Sequence, residues 1–295
     1  MVSTTVTVPI WTRGINFKAF RTSQKYTYAS LHTNLSQHTF NPSRKKAGWK
    51  TDPTYLSPDS KLACFEYIYF KKNSRATNYH ESQIYVPDGA GVMFDLQNDL
   101  IIPTITSNQK LNNIFIKKAF EPVRNITGIS GFEYSGDFLF WLAYKHMSEK
   151  QEIIPNIKIE DITIISSGRD YVNLFDSIRA TTDVTQHPES QVILGISGYL
   201  NSIYISIKKD NSTYNFNLIK DGRIQASQRD ELTEIPQKYV YSKEIHDVLQ
   251  KLNLAYQEFV RSNDWNTLKL EFQSECLIRS GESIKELINQ MKSDK

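Results

Sequence analysis

Apolar positions recur along this chain with two periods, and each period predicts a different kind of element. Alternation, the mark of a strand with two unlike faces, runs from Thr4 to Trp11, where Val6, Val8 and Ile10 share a side. It returns from Leu62 to Phe70, with Leu62, Cys64, Glu66 and Ile68 on one face and Ala63, Phe65, Tyr67 and Tyr69 on the other. Gln83 to Val86 and Val92 to Leu96 read as a hairpin, because Pro87-Asp88-Gly89-Ala90-Gly91 between them supplies turn chemistry. Ile101-Ile102-Pro103 extends or follows that unit. Ile157 to Ile165 predicts another strand. Gln191 to Ala226 predicts a three-stranded meander turning at Lys209 to Ser212 and at Lys220-Asp221-Gly222. Leu268, Leu270 and Phe272 alternate within Leu268 to Leu277, which predicts a late strand.

The helical period marks other stretches. Asn108 to Arg124 predicts a short helix that Glu121-Pro122 ends or interrupts. Ser135 to Lys150 carries an N-capping serine, Asp137 in its first turn, and an apolar run from Phe138 to Tyr144 that leaves almost no polar face. A helix apolar all round is a central, buried one. Tyr171 to Ala180 predicts a further helix. Ser242 is expected to cap an amphipathic helix with Ile245, Val248, Leu249, Leu252 and Tyr256 on one side and His246 on its polar face, ending at Asn263-Asp264. Gly281 to Met291 closes the chain with a helix. No sustained heptad runs through these helices, so no coiled coil is expected. Residues 12–60 keep no period and read as loops with short helical or strand pieces. The expected fold is α+β, with a mixed or mainly antiparallel sheet, three to four helices and a loop-rich, basic N-terminal region. The expected division is 1–110 and 111–295, as two parts or one continuous domain.

Charge sharpens this picture. The chain has 295 residues and a formal net charge of +3, but the charge is unevenly spread. Residues 1–75 hold twelve Lys and Arg against three acids; the remainder holds 23 against 29. The first 51 residues have eight basic side chains (Arg13, Lys18, Arg21, Lys25, Arg44, Lys45, Lys46 and Lys50) and no acid. Aromatics lie among them, including Trp11 and Trp49. Cations interleaved with flat rings suit a phosphate backbone with stackable bases. The opposing expectation is that this basic segment pairs with the acidic remainder of the chain.

Two cysteines far apart in sequence, Cys64 and Cys276, give no metal clip or disulfide framework. No signal peptide is visible, and the longest apolar run is too short to span a bilayer. These features lead to an expected cytoplasmic setting with no membrane partner.

Chemical motifs are sparse. There is no phosphate-binding loop and no dinucleotide glycine fingerprint, and the six histidines form no zinc spacing. The suggestive group is acidic: Glu66 on a strand, Asp88 at the expected hairpin tip, and Asp95 with Gln97 on the return strand. Two or three convergent carboxylates could hold Mg²⁺, which activates water and neutralises a scissile phosphate. Pro87-Asp88 followed by Asp95-Leu96-Gln97 loosely resembles the restriction-endonuclease-like pattern of Pro-Asp then Asp/Glu-x-Lys. Gln97 stands where that pattern has lysine, and only six residues separate the two aspartates.

The expected function is nucleic-acid binding through Arg13, Lys18, Arg21, Arg44, Lys45, Lys46 and Lys50 on phosphates, with Trp11 or Trp49 stacking. Its enzymatic extension is Mg²⁺-dependent phosphodiester cleavage through Glu66, Asp88 and Asp95. The alternative is a non-catalytic assembly protein whose basic segment docks on an acidic protein partner.

Overall fold

Two antiparallel sheets organise the chain, each built around its own apolar layer. The computed structural model describes residues 15–44, 46–72, 85–103, 118–148, 152–166, 177–179, 184–226 and 234–293. The expected strand at Thr4 to Trp11 lies outside them, as do most of the helices expected over Asn108 to Arg124 and Tyr171 to Ala180. The chain divides into two compact units. The first comprises residues up to Phe132 together with 228–242; the second comprises 133–227 and 243–295.

In the first unit, β1 is Ile15–Lys18, β2 Phe20–Thr22, β3 Gly48–Trp49, β4 Tyr55–Leu56, β5 Leu62–Lys72, β6 Tyr85–Asp95, β7 Leu100–Pro103 and β8 Ile129–Gly131. The sheet order is β3-β5-β6-β7-β2-β8, with β4 also paired to β5. Helices α1 (Tyr28–Ser36) and α2 (Glu121–Thr127) contribute Leu31, Leu35 and Val123 to a core shared with Phe65, Tyr67, Phe94 and Ile101. Thr27 caps α1: its side chain accepts from Ser30 N–H while the Ser30 hydroxyl accepts from Thr27 N–H. This is a reciprocal capping box.

The expected hairpin at Pro87 to Gly91 is corrected. Tyr85–Asp95 is one continuous strand, in register with β5 from Leu62 opposite Asp95 to Lys72 opposite Tyr85. An eleven-residue partner strand supplies backbone hydrogen bonds across the region where turn residues alone predict reversal. The small Gly89, Ala90 and Gly91 stand opposite Ile68, Tyr67 and Glu66, so small residues face large ones across the pair. The true reversal falls at Leu96 to Asp99, where Asp99 takes a positive φ of 53°. The expected interruption at Glu121-Pro122 is present: helix at 118–119 breaks at Phe120 and α2 starts anew at Glu121, with Pro122 in its first turn, where no intrahelical N–H bond is lost.

In the second unit, β9 is Glu152–Ile154, β10 Ile157–Ser166, β11 Ser177–Arg179, β12 Ser202–Lys209, β13 Ser212–Ile219 and β14 Arg223–Ala226. They run in the order β14-β13-β12-β10-β11, with β9 also on β10. The meander from Ser202 to Ala226 follows the predicted alternation: Ile203, Ile205, Ile207, Tyr214, Phe216 and Leu218 are buried. Residues Pro188–Ile196 before it are helix α4, not strand. Ser177–Arg179 is strand where a helix was expected.

The buried helix appears as predicted. α3 spans Gly136–Ser148, and Phe138 N–H donates to Ser135 Oγ at 2.9 Å. Its Phe138, Phe140 and Trp141 rings meet Tyr256, Phe259, Trp265 and Phe272 at centroid distances of 5.6–6.4 Å. Those four residues come from two long helices, α5 (Ile235–Ser262) and α6 (Trp265–Ser293). Ser242 lies inside α5, its hydroxyl donating to Lys238 O at 2.9 Å, so it is not the cap. Leu268 to Leu277 is helical: Trp265, Phe272 and Cys276 are buried while Leu270 and Leu277 are exposed. The period there is 3.6, and the short alternation at Leu268 to Phe272 was misleading.

Six α-helices stand among the described residues, against the three to four expected. The α+β class and the antiparallel sheets hold. No described helix is long and apolar enough to cross a membrane.

Candidate nucleic-acid interface

The basic positions divide into two groups at opposite sides of the first unit's sheet. One group surrounds β3. Before that strand the chain reverses between Asn41 and Lys46, whose backbones exchange hydrogen bonds of 3.0 and 3.1 Å. Arg44 N–H also donates to Asn41 Oδ1 at 3.0 Å, an Asx-type closure. Gly48 then passes so close to the backbone of Thr39 that a Cβ there would lie 2.4 Å from a carbonyl carbon. Only glycine fits, and this close approach fixes the turn beside the sheet edge.

The turn presents Arg44 and Lys46 to solvent. Among the described residues neither side chain has a carboxylate partner. Lys45 lies outside the described residues, as do Arg13 and Trp11.

Lys50 is differently placed. Its Nζ forms an ion pair with Glu66, and its N–H donates to Glu66 O at 2.9 Å. The lysine side chain is 43% exposed and the glutamate side chain 3%. Lys50 therefore serves first as the counter-ion of a buried carboxylate. Trp49 is not available for stacking: it is 1% exposed, against Tyr67 at 5.3 Å and Phe94 at 5.9 Å. Its ring is apolar filling for the core.

The second group is Lys18, Arg21 and Lys25. Lys18 Nζ lies 5.8 Å from the Phe20 ring centroid, and the Arg21 guanidinium lies 5.2 Å from that of Phe132. β2 is four places from β3 in the sheet order, or about 19 Å at ~4.8 Å per strand. The predicted basic residues thus form two separated patches rather than one.

The three carboxylates do not converge. Asp95 is opposite Leu62 and Gly91 is opposite Glu66, which puts the two acids four residues apart, about 13 Å along the strands. Asp88 pairs with Tyr69, three residues from Glu66 and about 10 Å away by the same rise. A single Mg²⁺, with oxygen ligands at about 2.1 Å, cannot bridge such positions. Among the described residues no three His, Cys, Asp or Glu side chains group to hold a metal.

Each buried carboxylate has another occupation. Asp95 Oδ1 accepts from Gln97 N–H at 3.0 Å and Asn98 N–H at 2.9 Å, while Oδ2 accepts from Asn98 Nδ2 at 2.6 Å and from the Tyr239 hydroxyl. Asp95 closes the β6–β7 turn. Burial, reinforced by Asp99 and then Asp95, pushes the Tyr26 phenol above its ordinary pKa. Burial and then the Glu66 charge push the Cys64 thiol up to about 12, so it is no nucleophile. His246, expected on a solvated face, is 4% exposed.

Sequence reasoning missed Gly48, which shapes the approach to the basic turn, and Tyr239, which satisfies Asp95. Asn41-Pro42-Ser43 was a legible turn signal. Nothing local marked Tyr239, because 144 residues separate it from its partner. No protein-family model matches this chain, and no curated protein matches it in sequence.

Proposed function

We propose that the turn carrying Arg44 and Lys46 binds the phosphates of a nucleic acid without reading its sequence. The observation that carries this reading is two exposed cations on one conformationally fixed turn, with no carboxylate partner among the described residues. Phosphate contacts give affinity and register but no sequence information. Trp49, one of the two expected stacking rings, is buried, so the reading rests on electrostatic contact. Metal-dependent cleavage is not carried forward, since the separation of Glu66, Asp88 and Asp95 offers no shared ion site.

The test is fluorescence anisotropy with a labelled duplex and a labelled single strand across a salt series. Log affinity should fall linearly with log salt concentration, and Arg44→Glu with Lys46→Glu should lower the slope by about 0.7–0.9 per lost phosphate contact. A chain with no affinity for either strand type at low salt overturns the proposal and leaves an acidic protein as the partner for this turn.

A further inference from the structure

The buried polar cluster of Asp95, Tyr239 and Tyr26 belongs to a turn and its packing. The open hollow between α4 and α6, lined by Ile196, Lys269 and Leu270 among others, has no buried polar side chain in its lining. The exposed face of α6 carries much more.

Large apolar residues on α6 are exposed along its length, from Leu277, 44% exposed beside Gly195 of α4, to 65% at Leu270 and 70% at Met291. With Ile278, Ile284 and Ile288 they present on the order of 600 Å² of apolar surface, the scale at which a patch marks an interaction site. From Gly281 to Lys292 the described positions are exposed except Ser283, which is half-buried. A helical end without tertiary support is marginal in water.

The stripe has a repeat. Leu270, Ser274, Leu277, Gly281, Ile284, Ile288 and Met291 follow one another at steps of four and three, the spacing of a coiled-coil seam. The repeat becomes visible only once Trp265–Ser293 is known to be one helix. Gly281 costs helix stability relative to alanine, and nothing lies within 4 Å of where its Cβ would be. The vacant position falls in the middle of the seam.

We propose that α6 pairs antiparallel with α6 of a second copy of this chain. The complementarity is internal to the sequence. In the antiparallel register that sets Gly281 against the partner's Ile284, Ser274 meets the partner's Met291 and Leu277 meets the partner's Ile288. Small residues therefore meet large ones in four of six layers, and the remaining two join Leu with Ile. The same register brings Glu271 beside the partner's Lys292, twice by symmetry. A parallel pairing would stack Gly281 on itself and leave both charges unmatched. With Leu270 outside these six layers, two copies bury about 1,000 Å² of apolar surface in all, the threshold for a specific interface.

The test is light scattering coupled to size exclusion on the full chain at tens of micromolar. The expected mass is twice 34.1 kDa. Ile284→Glu with Ile288→Glu should return it to 34.1 kDa, with loss of helical circular dichroism confined to the freed end of α6, about one turn in three of that helix. Glu271→Lys alone should weaken association roughly fivefold, and adding Lys292→Glu should restore it. A wild-type chain that stays at 34.1 kDa overturns the proposal, as does a dimer indifferent to the isoleucine changes. A dimer that ignores the charge exchange overturns the antiparallel register.

Discussion

Two carboxylates, one in each unit, meet lysine in contrasting ways: Glu66 is buried and Asp137 half-buried. Glu66 in the first unit relies on Lys50, whose side chain is 43% exposed. Asp137 in the second unit accepts from Lys269 Nζ, the Tyr256 hydroxyl and Trp265 Nε1, the last at 2.7 Å. Those three donors come from α5 and α6, so one carboxylate ties α3 to both long helices. Partial burial alone would push the Asp137 carboxyl up, but the hydrogen bonds from Lys269, Tyr256 and Trp265 outweigh it and hold the carboxyl below its ordinary value. The difference is that a half-buried acid with several donors acts as a structural clamp. A buried acid with one solvent-facing partner instead commits a cation that the basic surface would otherwise offer to a ligand.

The contrast can be broken at its base by removing the aromatic packing around the clamp. Phe140 is fully buried against Phe272 and Trp265, and Phe140→Ala should cost about 4 kcal/mol in urea unfolding. If the loss is under about 1 kcal/mol, the packing around α3 is not as described.

Next in size is Lys50→Met, which leaves Glu66 buried without its counter-ion and should cost about 3 kcal/mol. Pairing it with Glu66→Leu should restore most of the stability, since an apolar pair replaces a broken ionic one. Failure of the double variant to recover would show that Glu66 has an essential role beyond this pair.

Asp137→Asn keeps the shape but weakens three charge-assisted bonds, an expected loss of about 2 kcal/mol at neutral pH. Its pH dependence sharpens the comparison. The folded carboxyl titrates below the ordinary 3.8, so its stabilisation is complete above the unfolded value and is lost as pH falls through the folded one. Thermal melts of wild type and variant should therefore converge in acid below pH 4 and separate above it.

The smallest effect on stability belongs to Arg44→Glu with Lys46→Glu, which should stay within about 0.5 kcal/mol of wild type. The same variant should change nucleic-acid binding most, which separates surface charge used for a partner from charge used for folding.

The features read correctly from sequence were those whose signals are local. The helix over Gly136–Ser148 carried its cap and an uninterrupted apolar run, and the Ser202–Ala226 meander carried both its alternation and its turns. Pro87 to Gly91 was misread because turn propensity is weak beside a long partner strand. Leu268 to Leu277 was misread because three alternating residues fit a strand as well as they fit part of a helix. Among the candidate site residues, the exposure of Arg44 and Lys46 followed from a legible turn. The burial of Trp49 did not, because it depends on Tyr67 and Phe94, which are distant in sequence.

The amino-acid order alone determined the antiparallel α+β character, the central apolar helix and the excess of positive charge near the start. Each is set by neighbouring residues through period, capping and composition. Tertiary structure decided which charges remain available. It spent Lys50 on Glu66, buried Trp49, set two basic groups about 19 Å apart, and turned an expected metal cluster into a turn closure and an ion pair. Those outcomes depend on strand register and on partners far along the chain, where burial makes an unpaired charge costly.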